Sequence, residues 1–143
     1  MNNSENMKGA KNLVYSVVMP IRWGDMDAIG HVNNTIYFRY IEQARIEWLS
    51  KIGCLPDSNG FGPVIVNAHC TFLRPLKYPD QVEVNMFVGA IGRTSMETIC
   101  ELRSVSDAYA LYAEGGAKIV WFDPANEKSV PLPEQLLKFK AKI

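Results

Sequence analysis

The sequence predicts an α+β domain in which one long helix packs on one face of a five-stranded antiparallel sheet. Three observations carry that expectation. Four stretches in the second half of the chain, and one near its start, read as strands, most with apolar residues at every second position. A single stretch, Ile36 to Ile52, repeats its apolar residues at helical spacing. The strands of the second half follow one another through short turns, which make sequential strands antiparallel neighbours.

Taken in order, Val14 to Trp23 alternates, with Tyr15, Val17, Met19, Ile21 and Trp23 on the face expected to be buried. Gly24 and Gly30 punctuate the loop that follows. The helix then presents Tyr37, Ile41, Ala44 and Trp48 to the sheet. Its polar side carries Glu42 with Arg45 at i,i+3 and Gln43 with Glu47 at i,i+4. Asn33 is placed to cap the helix start and Gly53 to end it. Leu55 to Phe61 is a loop by composition, containing Pro56, Asp57, Ser58, Asn59 and Gly60.

Pro63 to Leu73 is the next strand, closed by Arg74-Pro75. After a turn at Tyr78-Pro79-Asp80, Val82, Val84, Met86 and Val88 alternate with polar residues. Gly89 to Arg93 turns into a strand bearing Met96, Thr98, Cys100 and Leu102, and Ser104 to Asp107 turns again. Leu111, Ala113, Gly115, Ala117, Ile119 and Trp121 form the last period-two face, whose small central residues leave room for a closely packed helix. Pro133 to Ala141 is expected to be a short C-terminal helix.

At 143 residues the chain suits one domain, assigned to residues 13–143 behind a disordered tail of residues 1–12. Met1 to Lys11 is polar and lacks the apolar core of a secretory signal. The apolar fraction of 48% is that of an ordinary soluble protein, and no run reaches the length of a membrane span. Lys plus Arg equals Asp plus Glu at 15 each, so charge argues for neither nucleic acid nor membrane partners. Cys54, Cys70 and Cys100 are widely spaced, and free thiols in a reducing cytoplasm are the simplest reading.

Several chemistries are excluded by what is missing. The chain has no GxSxG, HExxH, Walker loop, GxGxxG or Cys/His cluster at zinc spacing. What it has is Trp23-Gly24-Asp25-Met26-Asp27-Ala28-Ile29-Gly30-His31-Val32-Asn33-Asn34-Thr35: two carboxylates and a histidine immediately before a helix N-terminus. The first N–H groups of a helix lack partners inside it and sit at the positive end of its dipole. A carboxylate beside such a terminus pairs an acid or nucleophile with an oxyanion site.

That run, with Tyr37, Phe38, Glu42 and Ala44-Arg45 on the helix and Phe72-Leu73-Arg74-Pro75 further on, resembles the hotdog-fold acyl-CoA thioesterases of the 4-hydroxybenzoyl-CoA thioesterase type. The resemblance covers nearly the whole chain. It implies a sheet wrapped around one central helix, hydrolysis of a thioester without cofactor or metal, and a homodimer or homotetramer. By the same resemblance the second aspartate, Asp27, is the catalytic carboxylate, as nucleophile or general base, and the backbone N–H of Asn34 polarises the carbonyl. Some relatives carry a histidine where this chain has Asn34. Asp25 is read as holding the loop, and His31 as either a loop anchor or a polar wall of the site. Asn33 is a cap, with a substrate contact as the alternative, and His69 a structural strand residue. Arg93, Thr94 and Ser95 stand where relatives contact coenzyme A phosphates, and equally where a hairpin tip would be. The rival activities are a hotdog acyl thioester dehydratase and a non-catalytic acyl-CoA-binding module.

Overall fold

The computed structural model describes residues 12–56 and 60–140. Residues 1–11 of the expected tail, the loop residues Asp57, Ser58 and Asn59, and Ala141 at the end of the expected last helix lie outside the described residues, while Asn12, assigned to that tail, belongs to the first strand. Chain order is β1 (Asn12–Pro20), a 3-10 turn (Trp23–Asp25), α1 (Asn34–Lys51), β2 (Gly62–Phe72), β3 (Gln81–Ile91), β4 (Ser95–Ser104), a second 3-10 turn (Val105–Asp107), β5 (Ala113–Asp123), β6 (Lys128–Ser129) and α2 (Glu134–Leu137). The sheet runs β1-β3-β4-β5-β2, with the short β6 added against β5, so it has six strands rather than the five expected. Every pairing is antiparallel. The helix connects the two edge strands, β1 and β2, and therefore crosses one whole face of the sheet.

Asn33 opens that helix as the spacing predicts: its side-chain oxygen accepts from the Thr35 N–H at 2.9 Å and from the Thr35 hydroxyl at 2.8 Å. Tyr37, Ile41, Ala44 and Trp48 are all buried against the sheet, where they meet the period-two face of Val84, Met86, Cys100 and Leu102. Burying side chains of this size contributes about 1.5–3 kcal/mol each, which is what holds the helix down. Gly115 sits beneath the helix, paired with Cys70 on one side and Cys100 on the other. A Cβ added there would stand 2.6 Å from the His69 carbonyl oxygen and 3.0 Å from Ile41 Cδ1, so the close approach requires glycine. Ala117 is also buried, as the small-residue pattern predicts.

Four expectations are corrected. Trp23 does not continue the buried face of β1: that strand ends at Pro20, the chain turns into the 3-10 segment, and the indole is 77% exposed. The turn expected from Gly89 begins later, because β3 continues to Ile91 past a register shift after Val88; the tip is closed by Gly92 N–H donating to the Ser95 carbonyl at 2.7 Å. Glu42 pairs with Arg39 at 3.0 Å, not with Arg45, whose flank of the helix turns inward. The C-terminal helix shrinks to Glu134–Leu137, beyond which i→i+3 bonds carry Phe139 onto Trp48 with ring centroids 5.7 Å apart. Gln43 and Glu47 do pair, at 2.7 Å.

Candidate active site

Between β1 and α1 the chain makes a compact double turn. Asp25, two positions before Asp27, points inward and is 5% exposed. Its Oδ2 accepts from the Arg22 N–H at 3.0 Å and from the Tyr40 hydroxyl at 2.8 Å, and its carbonyl accepts from the Asn33 N–H at 2.9 Å. Burial first, then this carboxylate, push the Tyr40 hydroxyl pKa up, so it stays a donor. Asp25 thus ties strand end, loop and helix together, the loop-holding role expected of it.

Asp27 lies on the outer limb of the same loop. Its N–H donates to the His31 carbonyl at 2.7 Å, its carbonyl accepts from Gly30 at 3.1 Å, and Gly30 turns the chain with φ of +92°. One carboxylate oxygen, Oδ1, accepts from the Ile29 N–H at 2.9 Å and the His31 N–H at 3.2 Å. The other accepts no hydrogen bond among the described residues. The His31 N–H, assisted by the Ile29 N–H, holds the Asp27 carboxyl below its ordinary range and outweighs the opposing loss of water. The group is a fixed carboxylate with one oxygen unoccupied.

The helix N-terminus faces the same space. Thr35 and Ile36 spend their N–H groups on Asn33, at 2.9 Å each, whereas the N–H of exposed Asn34 donates to no described residue. Asp27, His31, Asn34, Tyr37, Phe72 and Arg74 are among the walls of one cleft of about 420 Å³. Its lining thus joins a carboxylate residue, the first residue of a helix at the positive end of its dipole, and apolar Val32, Tyr37 and Phe72. His31 is among the residues lining this cleft, and its backbone N–H donates to Asp27 Oδ1 while its carbonyl accepts from the Asp27 N–H. Asn33 does not line the cleft; its side-chain oxygen is spent on the cap.

Arg93, Thr94 and Ser95 are not brought to Asp27 within the chain. They stand at the start of β4, whose far end, Ser104, hydrogen-bonds Asp80 beside the Asp27 loop. The ten residues of β4 put roughly 30 Å between its two ends. Residues not assigned to the site in advance do line it. Tyr37 buries its ring, and its hydroxyl accepts from the Leu76 N–H at 3.0 Å while donating to the Arg74 carbonyl at 3.4 Å. The Leu76 carbonyl accepts from the Val32 N–H at 2.9 Å, so Phe72 to Leu76 is bound to both the helix and the loop. The Phe72 ring meets Tyr37 edge-on at 4.9 Å. His69 is on β2 as expected, exposed on the outer face, with its ring against Gly116.

A curled antiparallel sheet wrapped around one helix is the hotdog fold. The chain belongs to the thioesterase-like superfamily, whose family model matches residues 21–139. Among solved structures it is similar to a proposed thioesterase from Pseudomonas aeruginosa, at 36% identity and a TM-score of 0.85, over 89% of this chain and 98% of that one. A proposed acyl-CoA thioesterase from Xanthomonas campestris is 31% identical, with a TM-score of 0.72 over 78% of this chain and 95% of that one. A thioesterase from Thermus thermophilus complexed with coenzyme A and zinc is 28% identical, with a TM-score of 0.75 over 91% of this chain and all (100%) of that one. The chain spans about half the length of the curated relatives it matches, 52% and 59%.

Proposed function

We propose that this protein hydrolyses acyl-CoA thioesters to a carboxylic acid and free coenzyme A. The observation that carries the reading is that Asp27, one of whose carboxylate oxygens takes no donor among the described residues, and Asn34, whose N–H finds no acceptor among them, line one cleft. In this reading the thioester carbonyl oxygen accepts from Asn34, which stabilises the charge that develops on it. Asp27 then either attacks the carbonyl carbon, expelling the coenzyme A thiolate and leaving an anhydride for water to cleave, or takes a proton from the water that attacks. The proposed steps use only these groups. Names of the similar structures, including the coenzyme A complex, support the substrate class.

The deciding experiment is thiol release from a panel of acyl-CoA thioesters by wild type and Asp27→Asn. The variant keeps the fold and loses at least about 10²-fold in turnover, the usual contribution of such a group. Equal rates would remove Asp27 from the chemistry, and no thiol release by wild type from any ester of the panel would favour a binding module.

The same reading includes a homodimer. Strand β2 is an 11-residue edge with Val64, Ile65 and Val66 exposed at 41, 39 and 55%. An apolar edge of that length invites pairing with another strand. Antiparallel pairing of β2 with its copy would carry the partner's opposite sheet end, the end that bears Arg93, Thr94 and Ser95 in each chain, toward Asp27. This is how those residues would reach coenzyme A phosphates. Light scattering on the purified protein tests it, and a monomer with full activity would end it. No helix among the described residues is long and apolar enough to cross a membrane, and three free thiols support a reducing compartment such as the cytoplasm.

A further inference from the structure

Beside the cleft, and sharing Asp27 and Ile29 with it, lies a second hollow of about 600 Å³. It is lined by Trp23, Met26, Ala28 and Ile29 of the loop and by Tyr78 of the connection between β2 and β3. Loop and connection are joined where the Tyr78 N–H donates to Met26 Sδ at 3.3 Å. Asp27 is the one charged residue of this lining, whereas the cleft also carries His31, Asn34 and Arg74. The hollow is therefore the more apolar of the two spaces around the carboxylate. Trp23 is 77% exposed, Ile29 80% and Tyr78 44%. Neither the Trp23 indole nor the Tyr78 ring has a hydrogen bond or ring contact among the described residues, so the fold makes little use of them. Large apolar side chains left in water side by side, next to a reacting group, mark a binding surface.

A thioester bound as proposed above crosses this region in one direction. The cleft is lined by Phe72 and Leu73 at the end of β2, the edge along which the proposed dimer brings the coenzyme A contacts. The nucleotide half of the substrate therefore lies on the cleft side. None of the residues lining the hollow belongs to β2. Sulfur and acyl group are separate substituents of the same carbonyl carbon and point away from each other. With the carbonyl oxygen on Asn34 and the sulfur toward β2, the acyl group runs past Asp27 on the other side, where the hollow is. An acyl chain gains free energy by leaving water against such walls. An acetyl group would leave most of the hollow empty, since spaces of roughly 300–1,000 Å³ hold whole drug-sized ligands. No Lys or Arg lines the hollow to pair with a carboxylate at the far end of an acyl group.

We propose that the hollow lined by Trp23, Ile29 and Tyr78 seats the acyl half of the substrate, and that this half is an extended apolar acyl group rather than acetyl. The proposal rests on the thioesterase reading and makes Trp23 and Tyr78 determinants of acyl specificity.

The test compares octanoyl-CoA with butyryl-CoA, which share the reacting bond and the nucleotide. In wild type, kcat/KM for the longer ester should exceed that for the shorter by at least about tenfold, since each methylene fully removed from water adds about fourfold. Trp23→Ala and Tyr78→Ala should each lower that ratio about fourfold, the worth of one buried methylene, at unchanged melting temperature. Trp23→Phe should keep most of the ratio. Tryptophan fluorescence supplies a readout independent of turnover. Trp48 and Trp121 are buried, at 2% and 4%, so a ligand that covers an indole reports on Trp23. On Asp27→Asn, octanoyl-CoA should shift the emission to the blue and coenzyme A alone should not; adding Trp23→Phe should abolish the shift. An unchanged ratio in both alanine variants, or an equal shift with coenzyme A alone, overturns the proposal. So does a fall in molar mass on Trp23→Ala, which would assign the patch to a second copy of the chain. Hydrolysis without the octanoyl-dependent shift sinks the acyl seat and leaves the hydrolase reading. Wild type that hydrolyses neither ester, while octanoyl-CoA still shifts the emission, sinks the hydrolase reading and leaves the acyl seat standing.

Discussion

Replacing Asp25 by asparagine should unfold the protein earlier without removing its chemistry. The carboxylate is 5% exposed and its Oδ2 takes two donors, the Arg22 N–H and the Tyr40 hydroxyl, while the Arg22 guanidinium stands 3.5 Å from Oδ1. Hydrogen bonds to a charged acceptor contribute about 1.5–3 kcal/mol each against about 1 kcal/mol for a neutral one. An asparagine oxygen can still accept both donors, so the loss is the difference for two bonds, and the new amide also faces a guanidinium. Together these give roughly 1–3 kcal/mol, or a fall in Tm of roughly 3–10 °C for a domain of this size. Asp25→Ala should cost more, because it leaves the buried Tyr40 hydroxyl without an acceptor. Thermal melts followed by circular dichroism, with thioester hydrolysis measured well below the melting range, separate the two properties. An Asp25→Asn protein that melts like wild type but loses as much turnover as Asp27→Asn would show that the reacting carboxylate has been misassigned.

Other outcomes follow from single contacts. Because Asp27 is held below its ordinary pKa, it stays ionised as pH falls past the usual carboxylate value, so the acid limb of kcat/KM should lie below that value; a limb near neutrality would exclude it as the titrating group. Gly115→Ala drives a methyl into the His69 carbonyl and should destabilise by about 1–3 kcal/mol or fail to fold, readable in a urea titration. Burial pushes the Cys100 thiol up to about 12 and the Cys70 thiol up to about 11; at pH 8 an alkylating reagent should leave Cys100 intact until the protein is unfolded, as mass spectrometry of the peptides would reveal. Val66→Lys, on the exposed edge of β2, should halve the solution mass if that edge joins two chains, and an unchanged mass would remove β2 from the interface.

The helix and the alternating strands are legible because burial imposes a period, and the period is visible in one dimension. Tyr37, Ile41, Ala44 and Trp48 repeat as a helix face must, and all four are buried. A period misleads where it is extrapolated past its cause. Trp23 continues the alternation of Tyr15 to Ile21 in phase, but the strand has stopped and phase no longer means direction. The Glu42 partner is missed for another reason. Arg39 and Arg45 are both three residues away, so spacing cannot choose; Arg45 lies on the flank next to buried Ala44 and Ile41, where loss of water lowers its pKa, and Arg39 is left as the surface partner. Tyr37 reads correctly as core, yet its hydroxyl gathers Arg74 and Leu76 into the cleft wall. A contact across 39 residues leaves no mark in local sequence.

The pair Asp25 and Asp27 shows where a motif stops being enough. Two residues apart in a strand they would share a face, but in an irregular loop spacing says nothing about direction. What separates them is Tyr40, on the second turn of α1, whose hydroxyl is directed at Asp25. That donor and the Arg22 N–H draw the first carboxylate inward. The Ile29 and His31 N–H groups turn the second one outward, engaging one of its oxygens. Role therefore follows from which donors surround each group. Tyr40→Phe is the corresponding lever: it removes a donor from Asp25 and leaves every contact of Asp27 in place, so it should lower Tm by a few degrees, about 1 kcal/mol, while turnover at low temperature persists. A Tyr40→Phe enzyme that keeps its Tm and loses activity would mean that the tyrosine acts on the reacting groups, and the division of labour between the two aspartates would have to be redrawn.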